Sequence, residues 1–292
     1  MDFQKCLADY RNTVNAYLET CFAEPDGFAA GKLTEAMRYS LQAGGKRIRP
    51  ILVLAFSRLC GGDTEKVLPV ACAVEMLHTY TLIHDDLPCM DNDDLRRGKP
   101  TCHKVYGVCT ATLAGDALQA AAFETVLRAE LPPERLCACA LTLAENAGAF
   151  GICAGQQMDM EWEGRKLSSE ELAEVNDKKT SRLLVAACRM GVLAAGGTDA
   201  ELLAAERYAK ALGDAFQLRD DVLDVIGEES VLGKPIGSDR EEHKNTYVTL
   251  LGLDRCREEI AKKTQEAKAA LASFGDAEFL LALADSMAER MN

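Results

Sequence analysis

Four polar residues recur at helical spacing inside an apolar stretch. Gln217, Asp220, Asp221 and Asp224 fall at i, i+3, i+4 and i+7, among Phe216, Leu218, Val222, Val225 and Ile226. On a helix that spacing puts them on one face. A solvated acidic face has the same spacing and would be the better explanation in an arbitrary helix. Apolar neighbours on both sides favour a carboxylate row turned into the protein. Crowded, poorly solvated carboxylates repel one another and resist desolvation, so the row calls for a cavity and for cations. A second cluster, Asp85-Asp86-Leu87-Pro88-Cys89-Met90-Asp91, makes the same demand. Two such sites suggest a shared cavity with several divalent metals. Hard oxygen ligands favour magnesium, which commonly brings a phosphate-bearing substrate.

The earlier cluster ends a helix. His78, Thr81 and Asp85 share a face, and Pro88 cannot continue a regular helix. Carboxylates at a helix C-terminal end oppose the helix dipole, which suggests function outweighing stability. Asp91-Asn92-Asp93-Asp94 could alone be a polar turn, but Leu95-Arg96-Arg97-Gly98-Lys99 sets three cations beside the acids. Upstream lies Gly44-Gly45-Lys46-Arg47-Ile48-Arg49-Pro50. Its glycines let the backbone approach an anion, and Lys46 with Arg49 can clamp phosphate oxygens. Alone, this run would read as a helix C-cap followed by solvated charges. Weaker signals are Gly155-Gln156-Gln157-Met158-Asp159, Lys178-Lys179-Thr180 at the start of an apolar helix, and Lys234 and Lys244 beyond the second cluster. His78 and His84 read as core or supporting residues, and His103 and His243 as loop residues. No His/Cys ligand spacing supports zinc.

Composition narrows the architecture. Hydrophobic residues make up 48 % of 292, aromatics only 6 %, with 8 Pro and frequent Ala and Leu. That balance favours helices over sheets. Gly and Pro clusters punctuate the helical pattern, and Ser168-Ser169-Glu170-Glu171 and Thr198-Asp199-Ala200-Glu201 match the capping box. No strand alternation, internal repeat or long linker stands out. The expectation is a single all-α domain over 1–292, with roughly ten or more helices. Within it, 136–155 reads as a buried core helix, and 91–100 and 227–243 as longer polar loops. A net charge of −13 argues against nucleic acid and anionic membranes. No uncharged apolar run reaches eighteen residues, so no membrane span is expected. The amphipathic N-terminus does not read as a targeting segment. Twelve Cys without a C-x-x-C pair point to a reduced, cytoplasmic protein.

Taken together, the motifs resemble those of the trans-isoprenyl diphosphate synthases, specifically the farnesyl and geranylgeranyl diphosphate synthase group. The resemblance runs from about Gly44 to about Lys244. It is carried by Gly-Gly-Lys-Arg-x-Arg-Pro, by Asp85-Asp86-x4-Asp91 with Asp94-Leu95-Arg96-Arg97-Gly98-Lys99-Pro100-Thr101, and by Phe216-Gln217-x-x-Asp220-Asp221-x-x-Asp224. It implies a large helical bundle of the isoprenoid synthase type with a central active-site cavity. It also implies a homodimer and three Mg²⁺ ions bridging the carboxylates to an allylic diphosphate. Asp85 and Asp91 would hold two ions and Asp220 the third, supported by Asp86, Asp221 and Asp224. Arg96, Lys179, Gln217, Lys234 and Lys244 would surround the allylic diphosphate. Lys46, Arg49, His78 and Arg97 would hold isopentenyl diphosphate. The Lys179 and Thr180 backbone oxygens, with Gln217, would stabilise the allylic cation, and the released diphosphate would take the final proton.

Tyr80 and Thr81 stand five and four positions before Asp85. In the resembled family an aromatic there goes with a C15 product, so farnesyl diphosphate is the expected product and geranylgeranyl diphosphate the alternative. A terpene cyclase would lack the second aspartate motif and the Gly-Gly-Lys-Arg site. A non-catalytic partner subunit would typically lose one aspartate motif. A di-iron bundle would need Glu-x-x-His pairs, which are absent.

Overall fold

The computed structural model describes residues 1–23, 28–226 and 245–289. Helices make up 76 % of the described residues. The first four are α1 (Phe3–Thr20), α2 (Gly31–Leu41), α3 (Ile48–Leu59) and α4 (Thr64–Asp85). A hairpin of β1 (Leu95–Arg96) and β2 (Lys99–Pro100) leads to α5 (Cys102–Tyr106), α6 (Val108–Leu127), α7 (Pro133–Ala147) and α8 (Ile152–Glu161). Next, α9 (Ser169–Asn176) passes through a π-helical turn, Asp177–Ser181, into α10 (Arg182–Ala195). The long α11 (Asp199–Ile226) precedes α12 (Tyr247–Leu251), α13 (Leu253–Ala270) and α14 (Glu278–Ala288).

Local signals set several boundaries. Ser168 and Glu171 form the expected capping box on α9. Thr198 and Glu201 exchange the same pair of bonds at the start of α11. Beyond its exposed first turn, helix α4 is enclosed along most of its length, with Val67, Val70, Val74, Leu77, Tyr80 and Ile83 among its buried side chains. Helices α3, α6 and α10 pack on it, α10 also packs on α7 and α11, and α13 lies along α11. One contiguous core runs from Val14 of α1 to Met287 of α14. Each fully buried Leu or Ile in it contributes roughly 1.5–3 kcal/mol relative to exposure.

Three expectations change. The stretch 136–155 is not one buried helix: it breaks between α7 and α8, and its outer side is exposed, with Leu141 at 60 % and Phe150 at 85 %. Hydropathy marks it as apolar but cannot say which side meets other helices. His103 is no loop residue; it is buried in α5 and bonded through Nδ1 to Thr101 Oγ1 at 3.1 Å. The 91–100 loop contains the β1–β2 hairpin, whose tip residues Arg97 and Gly98 both have positive φ (54° and 74°), as tight hairpin turns require. Two stretches, Thr64–Asp85 and Pro133–Glu161, are long and apolar enough to cross a membrane. The first is α4, enclosed by its neighbours, and the second is the broken α7–α8 pair. The expected loop at 227–243, with His243, Lys234 and Lys244, lies outside the described residues.

Candidate active site

The C-terminal half of α4 forms one wall of a cavity of about 220 Å³. His78, Thr81 and Asp85 line it together, as their spacing predicts. Beyond the α4 end, Asp91 N donates to Asp85 O at 2.9 Å, folding the chain back so that both carboxylates line the same cavity. Burial pushes the Asp85 carboxyl up to about 6; nearby Lys179 pulls it down and Asp91 pushes it further up. Asp86 caps α4 and does not line the cavity. It is buried and accepts from Arg96 Nε at 2.8 Å. Asp93 accepts from Arg96 Nη2 at 3.0 Å, so two carboxylates fix the one Arg96 guanidinium that reaches the cavity.

The opposite wall is basic. Gly44 and Gly45 have φ of +90° and +118°, values that L side chains rarely adopt. The bend they allow brings the Gly44 carbonyl onto the Arg97 guanidinium. Arg47, also at positive φ, turns inward and pairs with Glu75 of α4 at 2.6 Å. Its remaining donors reach Leu41 O (2.7 Å) and Asn15 Oδ1 (3.0 Å). Arg47 thereby fastens the basic loop to α1 and α4, a role the sequence did not reveal. Its neighbour Arg49 faces the cavity, with Nη1 3.3 Å from His78 Nε2. Burial lowers Arg49 to about 10, so it stays charged at neutral pH. Burial and the Arg49 charge hold His78 well below its ordinary value, leaving it neutral. Arg49 Nε is buried without a hydrogen-bond partner among the described residues. Lys46 is exposed at the rim of this loop.

The third wall comes from α8 and the π-helical turn. Lys179 lines the cavity, and its Nζ lies 2.5 Å from Asp159 Oδ2. Thr180 Oγ1 donates to Gln217 Oε1 (3.2 Å), and Gln217 Nε2 donates to Asp221 Oδ1 (2.9 Å). Asp221 Oδ2 accepts from Tyr247 N at 2.6 Å. Both Asp221 oxygens are therefore engaged in orienting Gln217 and the start of α12. Asp221 and Asp224 are buried, and Asp220 is half-buried. The α11 carboxylates, Gln217 and Thr180 do not line this cavity; the relay from Asp221 through Gln217 ends at Thr180, next in sequence to the lining residue Lys179. Asn245, which sequence reading passed over, ties the start of this segment to the α8–α9 connection through Leu167 N (3.0 Å) and Arg165 O (2.7 Å).

One residue before Thr81 on α4, Tyr80 is buried with its ring perpendicular to His84, centroids 5.3 Å apart. Its hydroxyl lies 3.6 Å from Cys153 Sγ on α8. Thr81 lines the cavity and donates to His78 O at 2.8 Å.

A helical bundle that sets buried carboxylates against a basic loop is the arrangement of the isoprenyl synthases, and solved members superpose on nearly the whole chain. A farnesyl/geranylfarnesyl (FPP/GFPP) synthase from Zymomonas mobilis has a TM-score of 0.89 at 33 % identity, covering 98 % of this chain and 99 % of that one. A geranylgeranyl pyrophosphate synthetase from Geoglobus acetivorans has a TM-score of 0.88 at 31 % identity, covering 97 % and 99 %. The chain belongs to the polyprenyl synthetase family, whose pattern matches residues 30–277. Among relatives, a chloroplastic geranylgeranyl pyrophosphate synthase from Capsicum annuum is 48 % identical over 88 % of this chain and 71 % of its own length. A farnesyl diphosphate synthase from Geobacillus stearothermophilus is 44 % identical over 92 % and 91 %. Membership makes the chain a trans-prenyl diphosphate synthase, in a family that uses divalent metal.

Proposed function

We propose that this enzyme condenses isopentenyl diphosphate with dimethylallyl and geranyl diphosphate, using Mg²⁺, and releases farnesyl diphosphate as its main product. One observation carries the reading: Asp85 and Asp91 share a cavity with Arg49, His78, Arg96 and Lys179. Carboxylates on one wall suit cation-bridged diphosphate, and uncommitted guanidinium donors on another suit a second diphosphate.

The donor set fits a hard divalent ion. Asp85 and Asp91 offer only oxygen, and the one cavity imidazole, His78, is turned to Arg49. Among the described residues no three carboxylates converge, so each ion would take the rest of its ligands from diphosphate and water. Asp85 and Asp91 would hold two ions and Asp220 the third, with Asp86 acting through Arg96, and Asp221 and Asp224 supporting α11. Bound Mg²⁺ would neutralise the departing diphosphate. Arg96 and Lys179 bind the same group, and ionisation of its C–O bond leaves an allylic cation. The backbone oxygens of Lys179 and Thr180, with the Gln217 amide, would stabilise that positive charge, the roles the family resemblance implies for them. Arg49, His78, Arg97 and Lys46 hold isopentenyl diphosphate, whose double bond attacks C1 of the cation. Proton loss to the released diphosphate completes the product. Lys234 and Lys244, assigned to the allylic diphosphate by resemblance, lie outside the described residues.

Product length is the finer question, because relatives carry both farnesyl and geranylgeranyl names. Tyr80, whose ring packs on His84 and whose hydroxyl lies near Cys153, supports the shorter product on the reading that its bulk stops chain growth below Thr81. Incubation with isopentenyl diphosphate, each allylic primer and Mg²⁺ should yield C15 alcohols after dephosphorylation. Excess EDTA should abolish turnover, and Asp85→Ala should lose at least ~10³-fold in kcat while melting as wild type does. A normal kcat in Asp85→Ala would remove the metal assignment.

Two copies are proposed to form the working unit. Leu113 and Leu127 of α6, Leu141 of α7 and Phe150 after it are all more than half exposed. Exposed apolar side chains concentrated on adjacent elements mark an association surface.

A further inference from the structure

Gln156 lies in the second turn of α8 and lines the active-site cavity. Its side chain is nine-tenths buried, at 9 % exposure for the residue, and its Nε2 has no hydrogen-bond partner among the described residues. A buried amide donor without a partner is costly, and native proteins leave few of them. A half-turn of the amide exchanges its nitrogen and oxygen without moving the helix, so the donor can be presented to the cavity.

The surroundings say what the donor would meet. At the preceding Gly155, a Cβ would lie 2.3 Å from Lys179 N, so α8 packs backbone to backbone on the π-helical turn. That contact sets Gln156 beside Lys179. One turn further along α8, Asp159 holds the Lys179 ammonium. One turn earlier, Ile152 presents an apolar side chain to the same cavity. The wall therefore changes from apolar to polar at Gln156. A prenyl diphosphate changes character in the same way, at the bond between its first carbon and its diphosphate.

We propose that Gln156 is a substrate-binding residue whose amide N–H donates to an oxygen of the allylic diphosphate at the junction with the hydrocarbon chain. The inference rests on the reaction proposed above. No described side chain or backbone group pairs with the Gln156 donor, so a substrate oxygen can complete it. It works with Lys179: the cation neutralises the diphosphate, and the uncharged amide fixes the direction of the C1–O bond.

Gln156→Leu and Gln156→Met keep much of the volume and delete the donor. For each full-length variant, we would measure kinetics with geranyl and isopentenyl diphosphate, calorimetric binding of inorganic pyrophosphate with Mg²⁺, and thermal melting. Removing an unpaired buried donor should leave Tm unchanged or raise it. Both kcat/KM for geranyl diphosphate and pyrophosphate affinity should fall about tenfold or more, as expected for one lost hydrogen bond to a charged group. KM for isopentenyl diphosphate should stay within about twofold. Unchanged geranyl kinetics with unchanged pyrophosphate binding would overturn the assignment. So would activity falling in step with Tm in both variants, which marks a scaffold residue, or an equal loss for both substrates. If wild type itself makes no product, the reaction reading has failed, and pyrophosphate binding alone then decides for or against Gln156.

Discussion

Arg47 and Glu75 side chains are each 2 % exposed and 2.6 Å apart. A buried ion pair adds little net stability, because desolvation offsets its attraction, but losing one partner strands the other charge. Glu75→Ala should therefore lower unfolding stability by ~3–5 kcal/mol, and Arg47→Met combined with Glu75→Leu should recover most of that loss. Urea unfolding of the three proteins tests this, and an unshifted midpoint in Glu75→Ala would show that the pair holds nothing. The same loop shows what a run of basic letters reveals. That Lys46 and Arg49 are candidate anion clamps was suggested by the glycines before them, and only Arg49 lines the described cavity. Which Arg turns inward was not legible, since it depends on the positive φ of Arg47 and on an acid 28 residues away.

At the scale of elements, α4 was read well and α8 poorly. The i, i+3, i+7 spacing of His78, Thr81 and Asp85 carries its own geometry, and Pro88 announces where the helix must end. The π-helical turn at Asp177–Ser181 has no such signature, because one wider turn leaves the apolar period nearly intact. Without that turn, neither the approach of Gly155 nor the relay from Thr180 to Asp221 could be foreseen. The second aspartate cluster shared a face as expected, yet its carboxylates do not line the cavity directly. Helix α4 also carries Tyr80, the residue proposed above to limit product length. Tyr80→Ala removes a ring that now fills the space between His84 and Cys153. The variant should extend products towards C20 and beyond, with total turnover within about threefold because no charge or ligand is altered. Chromatography of the dephosphorylated products decides it, and an unchanged C15 profile would place the floor elsewhere.

For the whole molecule, charge and apolar surface pull in opposite directions. A net charge of −13 per chain makes two copies repel. Association must then come from apolar burial, and the side chains available for it stand on α6, on α7 and after α7, at Leu113, Leu127, Leu141 and Phe150. Burying each one in an interface would stabilise it by roughly 1.5–3 kcal/mol. A glutamate there would lose that gain and bring a carboxylate into an apolar contact between two acidic chains. Leu141→Glu with Phe150→Glu should therefore convert a dimer into monomers at micromolar concentration. Both positions are exposed within the chain, so the monomer's own core is untouched. Analytical ultracentrifugation of wild type and double variant at low and at moderate salt distinguishes the outcomes. On the dimer proposed above, added salt should tighten association by screening the repulsion between two acidic chains. A wild type that sediments as a monomer at every salt concentration would leave this apolar face without its proposed partner.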